Sequence, residues 1–451
     1  MPPPGSCSSI WRGLGMFEPS LYQPLGNHLA VARNGTTQSQ VQFSTEYPVT
    51  RIETIADGTI NFGKVGYLAA PAEGYELQPG DILYSHINSI KHVGKVAQYF
   101  GEKKTLYHGM NLLLLRLDDE VDKRYLFHYL NNHNARHYAQ KECQKAINQV
   151  SLNTGQLKKL SVFTPPLSEQ RLIAHILDAL DTQIQKTEAL ITKLEKVKEG
   201  LLHDLLTRGI DENGRLRPSP EQAPELYKES PLGLIPRQWE VKRLGGLIDG
   251  IDAGWSPSCS DVVPKEGEWG VLKVSAISTG AYLPHKSKTL PEGLSPIKEI
   301  EVNSGDVICV RANGVAELVG RTAYVFSTPR RLMLSDKTLR LRAGEGLDPL
   351  FLFLLMGSAS TRKQIASFIS GSSGQKNLSQ NQINSIQVKA PSIEEQRRVA
   401  GALSSMASRI EKEKSARDSS ATLKAGLMGD LLTGRVRVTP LLEKAQATSP
   451  A

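Results

Sequence analysis

The sequence predicts an α+β protein: two mixed, β-rich globules joined by two long helices that form an antiparallel coiled coil. Three observations carry this. Pro165-Pro-Leu-Ser-Glu-Gln-Arg171 returns as Pro391-Ser-Ile-Glu-Glu-Gln-Arg397, at an offset of 226 that holds without a gap through Ala174/Ala400, Leu177/Leu403, Ile184/Ile410, Lys186/Lys412 and Gly200/Gly426 to Asp204-Leu-Leu-Thr207 against Asp430-Leu-Leu-Thr433. A repeat spaced by half the chain is a tandem duplication, too wide for a solenoid or a propeller blade. Within both copies the apolar residues recur in steps of three and four, the seam of a coiled coil. Ahead of each copy lie short alternating runs broken by glycine turns, which read as strands.

The elements follow in chain order. Residues 1–165 form the first globule, with a helical stretch over Tyr125–Tyr138. The first long helix occupies 166–210, its seam running Ile173, Leu177, Leu180, Ile184, Ile191, Leu194, Val197, Leu201 and Leu205, with Thr187 interrupting. Pro166 is tolerated in its first turn, with Ser168 a rival cap. Residues 211–230, rich in Pro, Glu, Gly and Arg, read as a linker. The second globule spans 231–390, with a helical stretch over Pro349–Phe368.

The second long helix occupies 391–436, with Ser392 and Glu395 as a capping box. Its seam runs Val399, Leu403, Met406, Ile410, then Leu423, Leu427 and Leu431, while Glu413, Arg417 and Ser420 make the middle polar. Tight pairing is therefore expected at its ends and loose pairing at its centre. Gly209 and Gly434 stop the two helices. A helix of about forty residues is roughly 60 Å long, more than a small domain needs. Residues 437–451 read as a disordered tail.

The globules are related as well. Gly80-Asp-Ile-Leu83 matches Gly305-Asp-Val-Ile308, Val93-Gly-Lys-Val-Ala97 matches Val319-Gly-Arg-Thr-Ala323, Arg51-Ile-Glu-Thr-Ile55 matches Lys273-Val-Ser-Ala-Ile277, and Asp57-Gly58 falls opposite Thr279-Gly280. Elsewhere they diverge. Two similar modules in one chain suit a bipartite target.

The 451 residues carry a net charge of +8, which favours a polyanionic partner, nucleic acid above all. Cys7, Cys143, Cys259 and Cys309 are widely spaced, without a C-x-x-C pair, as in a reducing cytoplasm. The start, Met1-Pro-Pro-Pro-Gly5, has no signal-peptide pattern, and Leu350–Met356 is too short to span a bilayer, so a cytoplasmic location is expected.

Catalytic motifs are missing. There is no P-loop, G-x-G-x-x-G, H-E-x-x-H or G-x-S-x-G, and Pro165-Pro166 lacks the flanking residues of the amino-methyltransferase motif. Asp81 with Glu102-Lys-Lys104 mimics a nuclease triad, but Asp306, its repeat partner, has no matching E-x-K, and a turn entering a strand is the better reading. His128, His133 and His137 lie on one helical stretch beside tyrosines and read as packing or surface residues. No catalytic residue, metal ligand or bound cofactor is expected.

Two divergent globules, each followed by a P-x-x-E-Q-R helix ending in D-L-L-T, resemble the specificity subunit of type I restriction–modification enzymes. The resemblance covers nearly the whole chain. Pro231-Leu-Gly-Leu-Ile-Pro-Arg-Gln-Trp-Glu-Val-Lys-Arg-Leu244 looks like the opening of a target-recognition domain in that family, and Gly305–Gly314 is also typical of it. The first globule lacks the Pro-x-x-Trp opening, with Trp11 as its remnant, and carries His86 and Ser89 at the places of Arg311 and Gly314.

The resemblance implies that each globule reads one half of a split, asymmetric sequence in double-stranded DNA, and that the helices fix the spacing and dock two methyltransferase subunits. Those subunits would bind S-adenosylmethionine, and restriction and translocation subunits would bring ATP and Mg. In the second globule the expected DNA contacts are Arg311, Asn313 and Gly314, with Gln375, Lys376 and Asn377 from the loop Ser370–Asn377; in the first they are His86, Asn88, Lys91 and Gln149. Glu169, Gln170 and Arg171, with Glu395, Gln396 and Arg397, are expected to bind the partner subunits. The rival reading is a coiled-coil scaffold whose β-globules bind protein; a nuclease acting alone would need carboxylates that the sequence does not offer.

Overall fold

The computed structural model describes residues 19–56, 58–101, 105–145, 149–369 and 376–448. The chain divides into two units, residues 1–189 with 414–451 and residues 190–413. Each holds one β-rich body, the start of one long helix and the end of the other.

The strands form where the alternating runs are. In the first unit a four-stranded antiparallel sheet has the spatial order Val96–Gln98, Ile82–Tyr84, Leu113–Leu117, Leu29–Asn34. In the second the order is Thr322–Tyr324, Val307–Val310, Thr338–Ala343, Ile248–Ala253. Each Gly-Asp pair is a turn into the second of these strands. Gly80 and Gly305 take φ of 97° and 93°, a region that favours glycine. The aspartates behind them bond back, Asp81 Oδ2 accepting from Gln78 N and Asp306 Oδ2 from Asn303 N. Each also meets an arginine of the neighbouring central strand: Arg116 grips Asp81 at 2.8 and 2.7 Å, and Arg340 reaches Asp306 at 3.1 Å. Asp81 is 2% exposed and committed to that pair, so it is a structural carboxylate; residues 102–104 of the nuclease look-alike lie outside the described residues.

Both expected helical stretches are split by a capping residue. The first becomes Lys123–Asn131 and His133–Glu142, broken at Asn132, whose side chain accepts from Ala135 N. The second becomes Pro349–Gly357 and Ala359–Ile369, broken at Ser358.

The long helices run Leu167–Thr207 and Ile393–Leu431. In the first unit Ile173, Ala174 and Leu177 share a core with Leu431 and Leu432; in the second Ile191 and Leu194 pack with Ile410. The pairing is thus antiparallel. None of residues 411–426 is buried, as the polar middle predicts, and Lys424 pairs there with Asp181 at 2.5 Å. Two seam positions depart from expectation: Val197 and Leu423 are 46% and 54% exposed. A straight helix turns 3.6 residues per turn, so a 3.5-residue seam drifts off its face. Thr187 is accommodated by donating to the Gln183 carbonyl. Gly209 and Gly434 end the helices at φ of 64° and 67°.

The flanking segments also depart from expectation. The stretch read as a linker contains the strand Tyr227–Lys228 and buries Arg217; the stretch read as a tail forms the helix Thr439–Thr448. Each contributes a basic residue to the interior described below, which is why it is ordered. Among the described residues no helix is long and apolar enough to cross a membrane.

His108 lies fully buried in the first unit, its Nε2 bonded to the Leu112 carbonyl at 2.9 Å. Burial, the largest cause, holds its pKa at about 4, below the ordinary 6.5. A lowered histidine pKa gives stability that is complete above pH 6.5 and drains away as pH falls towards 4, because the unfolded chain takes up the proton first. The full difference is about 3 kcal/mol. Urea midpoints of the first unit's transition should fall between pH 7 and pH 4.5, and His108→Gln should flatten that slope; an unchanged slope would remove His108 as its origin.

Candidate nucleic-acid interface

In the second unit Ala312–Asn313 pairs antiparallel with Lys376–Asn377, the Cα partners being Ala312 with Asn377 and Asn313 with Lys376. One two-stranded ribbon therefore gathers Arg311, Asn313, Gly314, Lys376 and Asn377, although more than sixty positions separate its halves. Gln375 lies outside the described residues. The ribbon is held by backbone bonds: Arg311 N donates to the Lys337 carbonyl and Leu378 N to the Arg311 carbonyl, at 2.8 and 2.9 Å. Asn313 Oδ1 accepts from Val315 N and turns the chain beyond the strand. The half-buried Arg311 guanidinium makes no hydrogen bond or ion pair among the described residues, so its five donors are available.

The first unit repeats this pairing with other side chains and adds a third strand, Gln144–Lys145, beside Val150–Ser151. Ile87–Asn88 pairs with Val150–Ser151, Val150 opposite Asn88, and Leu152 N donates to the His86 carbonyl at 2.8 Å as Leu378 does to Arg311. Asn88 binds Ser85 Oγ and accepts from Ser89 N. Lys91 and Gln149 are exposed at the ribbon's rim. His86, in the place of Arg311, is 6% exposed with an unpartnered Nδ1, and burial holds its pKa below the ordinary histidine value. It is a neutral, inward ring where its counterpart is a cation.

A second duplicated feature escaped the sequence reading. Gly35 follows the strand Leu29–Asn34 and Gly254 follows Ile248–Ala253. A Cβ on Gly35 would strike the backbone of His108 and Gly109, and one on Gly254 the backbone of Leu334 and Ser335. The loop that leaves the first of these crossings, Thr36 to Gln40, lines a polar groove with Arg51 and Asn111. The glycines could have been found by aligning the strands, but their neighbours share no side chains.

The E-Q-R motifs have one geometry in both units. Glu395 is 5% exposed and accepts four bonds: from Arg217 at 2.5 and 3.0 Å, from Trp239 Nε1 at 3.0 Å and from Ile210 N at 2.9 Å. Glu169 accepts from Arg437 at 3.1 and 2.6 Å and from Thr439 Oγ1 at 2.9 Å. Burial alone would raise the Glu169 carboxyl, but these bonds outweigh it and hold it below the usual range. Gln170 takes Asp122 N at 2.8 Å and donates to the Pro165 carbonyl at 2.8 Å; Gln396 takes Asp348 N at 2.9 Å and donates to the Pro391 carbonyl at 2.9 Å. Asp122 and Asp348 cap the two globule helices.

Four residues expected at a partner surface, Glu169, Gln170, Glu395 and Gln396, are thus buried and engaged within their own unit. Arg171 and Arg397 are exposed. The expected capping box is half made: Ser392 Oγ accepts from Glu395 N at 3.3 Å, while the Glu395 carboxylate turns to Arg217 instead of the helix start.

Duplicated ribbons on a common pairing, with divergent side chains, make this a chain of two related modules. The chain belongs to the family of the type I restriction modification DNA specificity domain, whose model matches residues 28–196 and 236–417. It is 33% identical over 422 residues to a Methanocaldococcus jannaschii protein provisionally named type I restriction enzyme MjaX specificity subunit, covering 91% of this chain and 92% of that one. To the Escherichia coli type I restriction enzyme EcoEI specificity subunit it is 33% identical over 181 residues, 40% of this chain and 30% of that one. The fold matches the crystal structure of a type I restriction–modification S subunit from M. genitalium with a TM-score of 0.56 at 15% identity, over 91% of this chain and 95% of that one.

Removing one partner from a buried ion pair costs about 3–5 kcal/mol, because the other charge is stranded. Glu395→Ala should lose that much in urea unfolding followed by tryptophan fluorescence. Glu169→Ala should lose clearly less, since the side chain of Arg437 is 31% exposed against 9% for Arg217 and can turn to water. Equal losses would contradict the difference in burial.

Proposed function

We propose that this chain is the DNA-recognition subunit of a type I restriction–modification complex, with residues 1–165 and 231–390 as target-recognition domains that each read one half of a bipartite, asymmetric site. The observation that carries the reading is the ribbon: one backbone frame in both units, presenting Arg311, Asn313, Lys376 and Asn377 in one and Asn88, Lys91 and Gln149 in the other. A bidentate arginine on guanine and an asparagine on adenine are the commonest ways to read base edges in the major groove. The net charge of +8 supplies the non-specific attraction to phosphates. A guanidinium with unused donors beside an asparagine, as on the second unit's frame, suits base edges better than a protein-binding scaffold.

In this reading the long helices set the spacing between half-sites and dock two methyltransferase subunits, with Arg171 and Arg397 the motif residues available for that contact. S-adenosylmethionine belongs to those subunits, and ATP and Mg to the restriction subunits that join them. This chain contributes sequence choice and architecture and performs no chemistry, which fits a cytoplasmic assembly on DNA.

Exchanging residues 231–390 for the corresponding globule of a relative should change one half of the methylated sequence in the reconstituted complex and leave the other intact. A change in both halves would refute independent readout. Within the second globule, Arg311→Ala should weaken binding to the cognate duplex by about 1–3 kcal/mol and leave binding to random duplex nearly unchanged. An equal loss on both duplexes, with a shallower salt dependence, would make Arg311 a phosphate contact.

A further inference from the structure

His28 ends a short helical turn, Leu25–His28, immediately before the strand Leu29–Asn34 at the sheet's edge. Leu29 pairs with Leu117, so the ladder sets His28 beside Asp118, whose amide donates to the His28 carbonyl at 3.2 Å. Asp118 Oδ1 then accepts from Glu120 N at 3.0 Å, which folds Glu120 back over the turn. One nitrogen of His28 and one oxygen of each carboxylate lie within 4.8 Å of one another. His28 is 4% exposed, and neither of its ring nitrogens has a hydrogen-bond partner. A buried imidazole with both nitrogens unsatisfied is rare, and here one nitrogen faces two carboxylates that nothing cationic neutralises among the described residues.

Two comparisons inside the molecule separate this grouping from ordinary packing. His128, Asp178 and Asp181 are equally close, but His128 Nε2 bonds Asp178 at 2.8 Å, Arg124 also grips Asp178, and Lys424 holds Asp181 at 2.5 Å. That grouping is already neutralised. In the second unit the same corner is built by Leu247 and Gly344, with the same backbone bond from Gly344 N to the Leu247 carbonyl at 2.9 Å, and Gly346 follows where Glu120 stands. The fold forms this corner there with no histidine or carboxylate at the places of His28, Asp118 and Glu120, so these three donors answer another need.

We propose that His28, Asp118 and Glu120 hold one divalent transition-metal ion of the zinc class, with water completing its shell. One imidazole and two carboxylates are a donor set that zinc and its first-row neighbours accept, and a dication balances the two carboxylates. Donors about 2.0–2.2 Å from an ion stand closer together than the present outer limit, so binding draws the Glu120 turn inward. The ion pins the start of the edge strand to the loop that follows the central one.

The test is titration of the full-length, chelator-stripped protein with Co²⁺ followed by visible absorption, and with Zn²⁺ by calorimetry. One equivalent of Co²⁺, displaced by Zn²⁺, is expected, with a rise in Tm. Glu120 is exposed, so Glu120→Gln leaves the core untouched and should weaken binding at least tenfold; His28→Gln should abolish it. Asp181→Asn should bind like the wild type. The proposal is overturned if neither metal binds, if Glu120→Gln and His28→Gln bind as the wild type does, or if Asp181→Asn alone loses the ion.

Discussion

The carboxylate at the head of each long helix is the constraint on which the rest of the structure depends. Glu395 reaches past the end of its helix to Arg217, Trp239 and Ile210; Glu169 reaches to Arg437 and Thr439. In each unit one helix starts where the other has just ended, and the clasp binds that start to the segment leaving that end. An apolar seam alone leaves an antiparallel pair free to slide by a turn, because one leucine resembles the next. A buried carboxylate with four donors around it does not slide, since displacement would strand a charge. The clasp fixes register, and the apolar contacts supply the bulk of the burial. The glycine after each helix follows from the same demand: a side chain at Gly209 would occupy the space of Glu395, Trp239 and Arg217, and one at Gly434 the space of the Phe163 ring.

The glutamine beside each clasp carries the constraint into the globule. Gln170 and Gln396 each bind the backbone of the aspartate that caps a globule helix. An amide can accept and donate at once, so one side chain ties the cap to the proline carbonyl at the helix start. Long helix and globule are thereby oriented by two adjacent residues. The third motif residue points outward in both copies. Such a division explains why the motif persists while the surfaces it supports have diverged: it is a hinge plate with its fixings inside.

Much of this was legible in the chain. The repeat marked both long helices, their starts within two residues and their ends overshot by three and five, and the glycine turns marked the central strands, because both depend on backbone demands that few residues meet. The sequence singled out Arg311, Asn313, Lys376 and Asn377, but 370–377 read as a flexible loop, and the pairing of Lys376–Asn377 with Ala312–Asn313 was not legible because it spans more than sixty positions. What stayed hidden depends on contacts across long separations. Arg217 and Arg437 sit at different distances beyond their helices, so no repeat alignment pairs them. Arginine in a polar segment reads as solvent-facing until a buried glutamate is known to wait for it. The same blindness made a linker of residues 211–230 and a tail of residues 437–451. His28 and Asp118 are ninety positions apart, and only the strand ladder makes them neighbours.

The difference between Arg311 and His86 shows how a fixed frame can host different readings. Both positions give a carbonyl to the opposing strand of the ribbon, and neither contribution depends on its side chain. A long, permanently charged fork can leave such a position and reach outward, whereas a short ring is drawn into the core and loses its charge to burial. The first ribbon must therefore present its polarity from neighbouring places, Asn88 within the strand and Lys91 and Gln149 at its rim. Divergence at one position of the frame thus moves the recognising groups along the ribbon while the pairing of its two common strands is kept.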